Sequence, residues 1–108
     1  MKFEVYKGNN DDLSFRLVDD TGKTVLLGDG YRYKEVILNN IETVKKNLPL
    51  NDSIEMKSTA QGKYFFNVKG NYGQLVGSSI EFESPELRDK WLRDIQKKVG
   101  KSEVIEVR

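Results

Sequence analysis

Two pairs of neighbouring carboxylates, Asp11-Asp12 and Asp19-Asp20, are the first residues whose type and spacing could do chemistry. Adjacent carboxylates can share a proton or hold a hard cation. Both pairs sit among Gly, Asn and Thr in turn-like stretches, where aspartate is favoured for hydrogen bonds to nearby backbone. The ligand spacing of an EF-hand loop is missing. Gly28-Asp29-Gly30 offers two glycines of the kind a phosphate-cradling loop uses. The third glycine of a dinucleotide fingerprint and the Gly-Lys-Ser/Thr of a P-loop do not follow, so the stretch reads as a loosened strand end. The chain has no cysteine and no histidine. Disulfides, thiolate nucleophiles, thiolate or imidazole zinc sites and Ser-His-Asp machinery are thereby excluded. An enzyme would have to run on Asp, Glu, Lys, Tyr or Ser, and spacing gathers no convergent set of these. The expectation is no catalytic residue, no metal site and no cofactor.

A second constellation comes from alternation. Tyr6, Arg16, Lys57, Phe65, Asn67 and Lys69 all fall on the outward side of predicted strands. If helices cover only the other face, this face is open and mixes aromatics with cations. Such a surface could stack and hydrogen-bond single-stranded nucleic acid, or lie in a contact between protein chains.

These residues are positioned by elements that the period of the apolar residues defines. Phe3–Lys7 reads as a strand with Phe3 and Val5 inward, and Leu13–Val18 as a second that alternates cleanly. Asp19-Asp20-Thr21-Gly22 is a turn, and Lys23–Leu27 a third strand. From Lys34 the period becomes helical, with Val36 or Ile37, Ile41, Val44 and Leu48 recurring until Pro49 stops the helix. Asn51-Asp52 is too short a linker to separate two domains. Ile54–Lys57 is a strand with Ile54 and Met56 inward. Lys63–Lys69 and Gln74–Phe82 follow as a hairpin closed at Gly70–Gly73. Ser84-Pro85 starts a second helix, with Leu87, Trp91, Ile95 and Val99 as its stripe and Gly100 as its end. Ser102–Val107 alternates as a last short strand.

The chain repeats itself. At a constant offset of 51 with no gap, Phe3 matches Ile54, Val5 Met56, Phe15 Phe66, Leu17 Val68, Gly22 Gly73 and Val25 Val76. The helices match too: Ile41 with Leu92, Val44 with Ile95 and Leu48 with Val99. The reading is one domain over 1–108, with repeats 3–48 and 54–99 and a C-terminal strand at 102–107. Each half is β-β-β-α and too small to bury its own sheet face, so both halves should share one core. The fold class expected is α+β: one antiparallel sheet with two helices on one face, related by a pseudo-twofold.

The half-repeat resembles the YegP-like family, small bacterial proteins of single or tandem repeats. The residues that carry the resemblance are Phe3, Tyr6, Phe15-Arg16-Leu17, Gly22, Val25, Gly30-Tyr31 and Ile41 through Asn47. In the second copy they are Gly62 through Asn67, Asn71, Gly73, Val76-Gly77 and Ser79. The resemblance implies two β(3)-α units in a single sheet, with C-terminal strands exchanged between the halves. It implies no activity, since the family is one of unknown function. Two departures stand out. The family's glycine before the helix isoleucine is Asn40 here, and Trp91 in the second repeat; the serine at the first helix cap is Tyr33. Trp91 is therefore expected to roof the sheet.

Composition sets the remaining bounds. Apolar residues make up 37% and charged residues 32%, with a net charge of +1, so no strong field draws the chain to nucleic acid or membrane. No apolar run is long enough for a signal peptide or a membrane span, which points to the cytoplasm. Asn51-Asp52-Ser53 forms a sequon only through its turn residues. The functional expectation is a non-enzymatic cytoplasmic protein acting through binding or assembly, by self-association or with a protein partner. The first alternative is a weak single-stranded nucleic-acid binder. A second is a pleckstrin-homology-like binding domain, suggested by the C-terminal helix with its central Trp91. Against this last, Asp11-Asp12 in the first hairpin would repel an anion, and the helix from Lys34 has no place in that fold.

Overall fold

The structure is a computed structural model and describes residues 1–8 and 11–107. Its elements, in chain order, are β1 (Lys2–Lys7), β2 (Leu13–Val18), β3 (Thr24–Tyr31), α1 (Lys34–Asn47), β4 (Ile54–Ser58), β5 (Tyr64–Lys69), β6 (Leu75–Ser79), α2 (Pro85–Lys98) and β7 (Glu103–Glu106). Asn9 and Asn10, in the turn expected before β2, lie outside the described residues. The sequon stretch Asn51–Ser53 is one turn of 3-10 helix leading into β4. The fold is α+β.

All seven strands form one sheet in the order β4-β5-β6-β3-β2-β1-β7. Each half lays its three strands down as an antiparallel meander, and β3 and β6 join the halves through Leu26↔Ser79 and Leu27↔Ser78. The sheet is not antiparallel throughout. β7 runs parallel to β1, with Phe3 opposite Val104 and Glu4 opposite Ile105. β7 follows α2, which carries the chain from β6 back to the far edge of the sheet beside β1. The segment after α2 thus joins the first half.

One face of the sheet is covered. Phe3, Val5, Phe15, Leu17, Leu26, Phe66 and Val68 pack there against Ile37, Ile41, Val44 and Leu48 of α1 and Leu92 and Ile95 of α2. Ile37, not Val36, is the buried member at the start of α1. In α2 the residues sunk into the core are Leu92, Ile95 and, just past its end, Val99, with Leu87 exposed. The internal repeat matched Leu92 to Ile41, whereas the stripe from Leu87 through Trp91 sits one position off. Trp91 is half-buried at the side of the core, its ring 6.2 Å from Phe82 and 5.1 Å from the Lys23 ammonium.

Two strand readings change. β3 runs on through Gly28-Asp29-Gly30 to Tyr31. Gly28 keeps the strand going beside Phe15, because a Cβ there would lie 2.2 Å from Phe15 Cε2. The second strand of the later hairpin stops at Ser79, and Phe82 makes only an isolated bridge back to Tyr64. Helix ends are secured from neighbouring elements. The Gln96 amide donates to the Leu48 carbonyl past the end of α1, at 3.0 Å. The buried Asn47 side chain donates to the Lys69 carbonyl, at 2.9 Å, and so ties α1 to the β5–β6 turn. No described helix is long and apolar enough to cross a membrane.

Candidate binding face

Period-two alternation sends every second residue of each strand to the face that α1 and α2 leave open. Strand register lines these residues up in a single row across the sheet: Glu55, Asn67, Ser78, Leu27, Arg16, Glu4 and Ile105. Cross-strand hydrogen bonds knit both ends of the row. Asn67 Nδ2 donates to Glu55 Oε1 at 3.3 Å, and Ser78 Oγ donates to Asn67 Oδ1 at 2.7 Å. Arg16 Nε donates to Glu4 Oε1 at 2.6 Å. Leu27 stands between the two polar ends, 42% exposed.

All six residues singled out from the sequence lie on this face, in two groups. Tyr6 and Arg16 are together, the guanidinium 4.8 Å from the ring centre. Lys57, Phe65, Asn67 and Lys69 form the other group on β4 and β5, with Lys57 directly opposite Phe65. The two groups stand at opposite ends of the row.

Electrostatics changes what the face offers. Each cation lies beside a carboxylate. Glu4 pairs with Arg16 and, at 3.6 Å, with Lys2. Glu55 sits between Lys57 at 3.5 Å and Lys69 at 3.6 Å. The Arg16 hydrogen bond, with the charges of Arg16 and Lys2, holds the Glu4 carboxyl below its ordinary value of 4.5. The Asn67 hydrogen bond, assisted by Lys57 and Lys69, does the same for Glu55. Both glutamates are therefore ionised at neutral pH, and each stands between two cations, so these four positive charges outnumber the carboxylates two to one.

The row also contains residues that were not among the six singled out: Glu4, Glu55, Ser78, Leu27 and Ile105. A signal for the two glutamates was available, since Glu4 recurs as Glu55 at the repeat offset. Ser78 and Leu27 depended on the β3–β6 seam, which alternation alone does not reveal.

The other chemical candidates resolve into local structure. Asp19 Oδ1 accepts from the Thr21 N–H and hydroxyl and from the Lys23 N–H, the Thr21 hydroxyl being the main reason that its pKa falls below 3.8. Asp20 pairs with the terminal ammonium at 2.6 Å. Among the described residues no cluster of three or more acidic side chains could hold a metal ion. A hollow of about 590 Å³ lies at the end of β1 between Val5, Tyr6, Leu13 and Val107, with the Lys34–Glu106 ion pair in its wall.

A sequence profile for a domain of unknown function, DUF1508, matches residues 9–55. The UPF0339 protein in the ptx operon 5′ region of Stutzerimonas stutzeri is 34% identical over 105 residues, which span 97% of this chain and 95% of that protein. The chain belongs to the UPF0339, or YegP-like, family. The solution NMR structure of YegP from Escherichia coli, a protein of unknown function, superposes with a TM-score of 0.90 at 26% identity, over 97% of this chain and 90% of that one. A second UPF0339 protein, SO3888 from Shewanella oneidensis, also superposes at 0.90, with 25% identity over 97% and 89%. Family membership thus brings the fold and bacterial relatives, and assigns no activity.

Proposed function

We propose that the chain is a non-enzymatic cytoplasmic binding module whose open sheet face meets a protein partner. The single observation that carries this reading is the seven-residue row across that face. It is held in place by its own cross-strand hydrogen bonds, each of its carboxylates stands between two cations, and Tyr6, Phe65 and Leu75 are presented beside it. Pre-organised polar groups among scattered apolar ones are what a protein surface can match without ordering many side chains. Every shift resolved among the described carboxylates (Glu4, Asp19, Asp20, Glu55) is downward, so none of these four is raised toward the range of a carboxylic general acid.

The test is capture from bacterial lysate on immobilised wild-type chain, Arg16→Glu, Phe65→Asp and a control on the helix side, Lys90→Glu. The expected result is a protein retained by wild type and control and lost by both face variants. Retention by all four chains would overturn the reading.

A second reading, single-stranded nucleic acid, is favoured by the Arg16–Tyr6 stack and the Lys57–Phe65 pair. Against it stand Glu4 and Glu55, which already occupy the cations that would meet phosphates. Amide NMR titration with short single-stranded RNA and DNA separates the two. Shifts at Tyr6, Arg16, Phe65 and Asn67 that weaken as salt rises would support nucleic acid. An unchanged spectrum at low salt would end that reading.

A further inference from the structure

β1 and β4 hold equivalent places in the two halves, yet their outer edges differ. The Val5 carbonyl of β1 accepts from the Val107 N–H at 2.8 Å as β7 lies alongside. Among the described residues no strand lies outside β4. The hydrogen bonds of β5 show which groups of β4 are left over. The Phe66 N–H is turned toward β6, donating to Ser79 Oγ, and Tyr64 exchanges both its backbone bonds with Phe82 on that side. Their partners across the β4–β5 ladder, Met56 and Ser58, must therefore aim their own N–H and C=O groups away from β5. The Ile54 carbonyl points the same way, while the Ile54 N–H is already given to Asn51.

We propose that this edge pairs with the same edge of a second copy, antiparallel about a twofold axis at Met56. The register follows from charge. Glu55 and Lys57 flank Met56 on the open face, and reversal about Met56 puts each Glu55 opposite the other copy's Lys57, twice per contact. These are non-hydrogen-bonded positions, where cross-strand side chains approach most closely. At the axis the two Met56 residues exchange N–H···O=C bonds, and each Ser58 N–H meets the facing Ile54 carbonyl. The one donor that the edge lacks, Ile54 N–H, is thus left out without being stranded. Charged residues on an edge strand normally deter pairing. Opposite charges two residues apart make this edge self-complementary instead, and the twofold closes so that assembly stops at two. Both Met56 side chains, 47% exposed in the single chain, would meet on the helix side of the joined sheet. The contact joins edge backbone groups and draws only Glu55 and Lys57 from the open face, so its failure would leave the reading of that face at Arg16 and Phe65 intact.

Sedimentation velocity of the full chain at low ionic strength, over a concentration series, reads the assembly directly. Wild type is expected to pass from monomer to dimer. Glu55→Lys and Lys57→Glu each set like charges opposite one another and should weaken the dimer roughly tenfold or more. The double exchange E55K/K57E should restore it. An equimolar mixture of the two single variants should form heterodimers, because every facing pair is then opposite in sign. Both single variants carry their changes on exposed or half-exposed side chains, and circular dichroism verifies their fold. A wild type that stays monomeric at every concentration, or a dimer that both single variants retain, would overturn the proposal. So would dimer loss in the singles without recovery in the double variant and the mixture.

Discussion

The two halves of the sheet use the same core pattern and differ at their rims. Phe15 and Phe66 are equally buried, as are Leu17 and Val68. Out at the edge, Val5 is covered by β7 and buried, while its counterpart Met56 is nearly half exposed. The helix starts differ as well. At α2 the Ser84 hydroxyl accepts from the Leu87 N–H at 3.1 Å, whereas Tyr33 at the start of α1 gives no side-chain cap. Open-face neighbours diverge further: Glu4 is bound by Arg16, and Glu55 by Asn67, the residue at Arg16's equivalent place. Packing constrains the shared centre, where one methylene is felt, far more than the rims, where either solution can be solvated.

Three measurements would break or sharpen this comparison. The largest effect is expected at the edge pair. Val5→Ala removes buried methyl groups and should cost about 2 kcal/mol, while Met56→Ala, at a concentration where the chain is monomeric, should cost less than about 0.5 kcal/mol. Urea unfolding followed by the fluorescence of Trp91, the chain's sole tryptophan, reads both. Equal losses in the monomer would mean that β4 is covered within the single chain, whereas a Met56→Ala loss that grows with protein concentration would favour the edge contact.

The helix caps come next. Ser84→Ala should lose about 1 kcal/mol. Tyr33→Ser, at an exposed residue with extended backbone (φ −119°, ψ 140°), should gain a few tenths of a kcal/mol or more. No gain would show that the tyrosine contributes packing which the missing cap conceals.

The smallest effect is the pH response of the face. Glu4 and Glu55 have folded-state values below 4.5, so the unfolded chain binds protons first as pH falls. Their contribution is present above about pH 4.5 and is lost as pH drops through the lowered values. Thermal melts between about pH 7 and about pH 3 should show this decline, and Glu4→Gln or Glu55→Gln should each make it shallower. A variant with an unchanged slope would mean that its carboxylate is not held by the neighbours named here.

Much of this architecture could be read from residue order. Alternation placed Tyr6, Arg16, Lys57, Phe65, Asn67 and Lys69 on one face because side-chain direction in a strand depends only on parity. The offset of 51 picked out Leu92 as the core residue of α2 where the helical stripe alone suggested Trp91. These are local or self-referential signals, and they need no knowledge of which strands meet. Which strands do meet was settled by the tertiary structure. The parallel seat of β7 beside β1, the β3–β6 seam that brings Leu27 and Ser78 into the row, and the bare edge of β4 all depend on pairings between segments distant in sequence. So does the pairing of charges on the open face: the Arg16–Glu4 and Asn67–Glu55 partnerships follow from strand register, and register is fixed by the shared core beneath them.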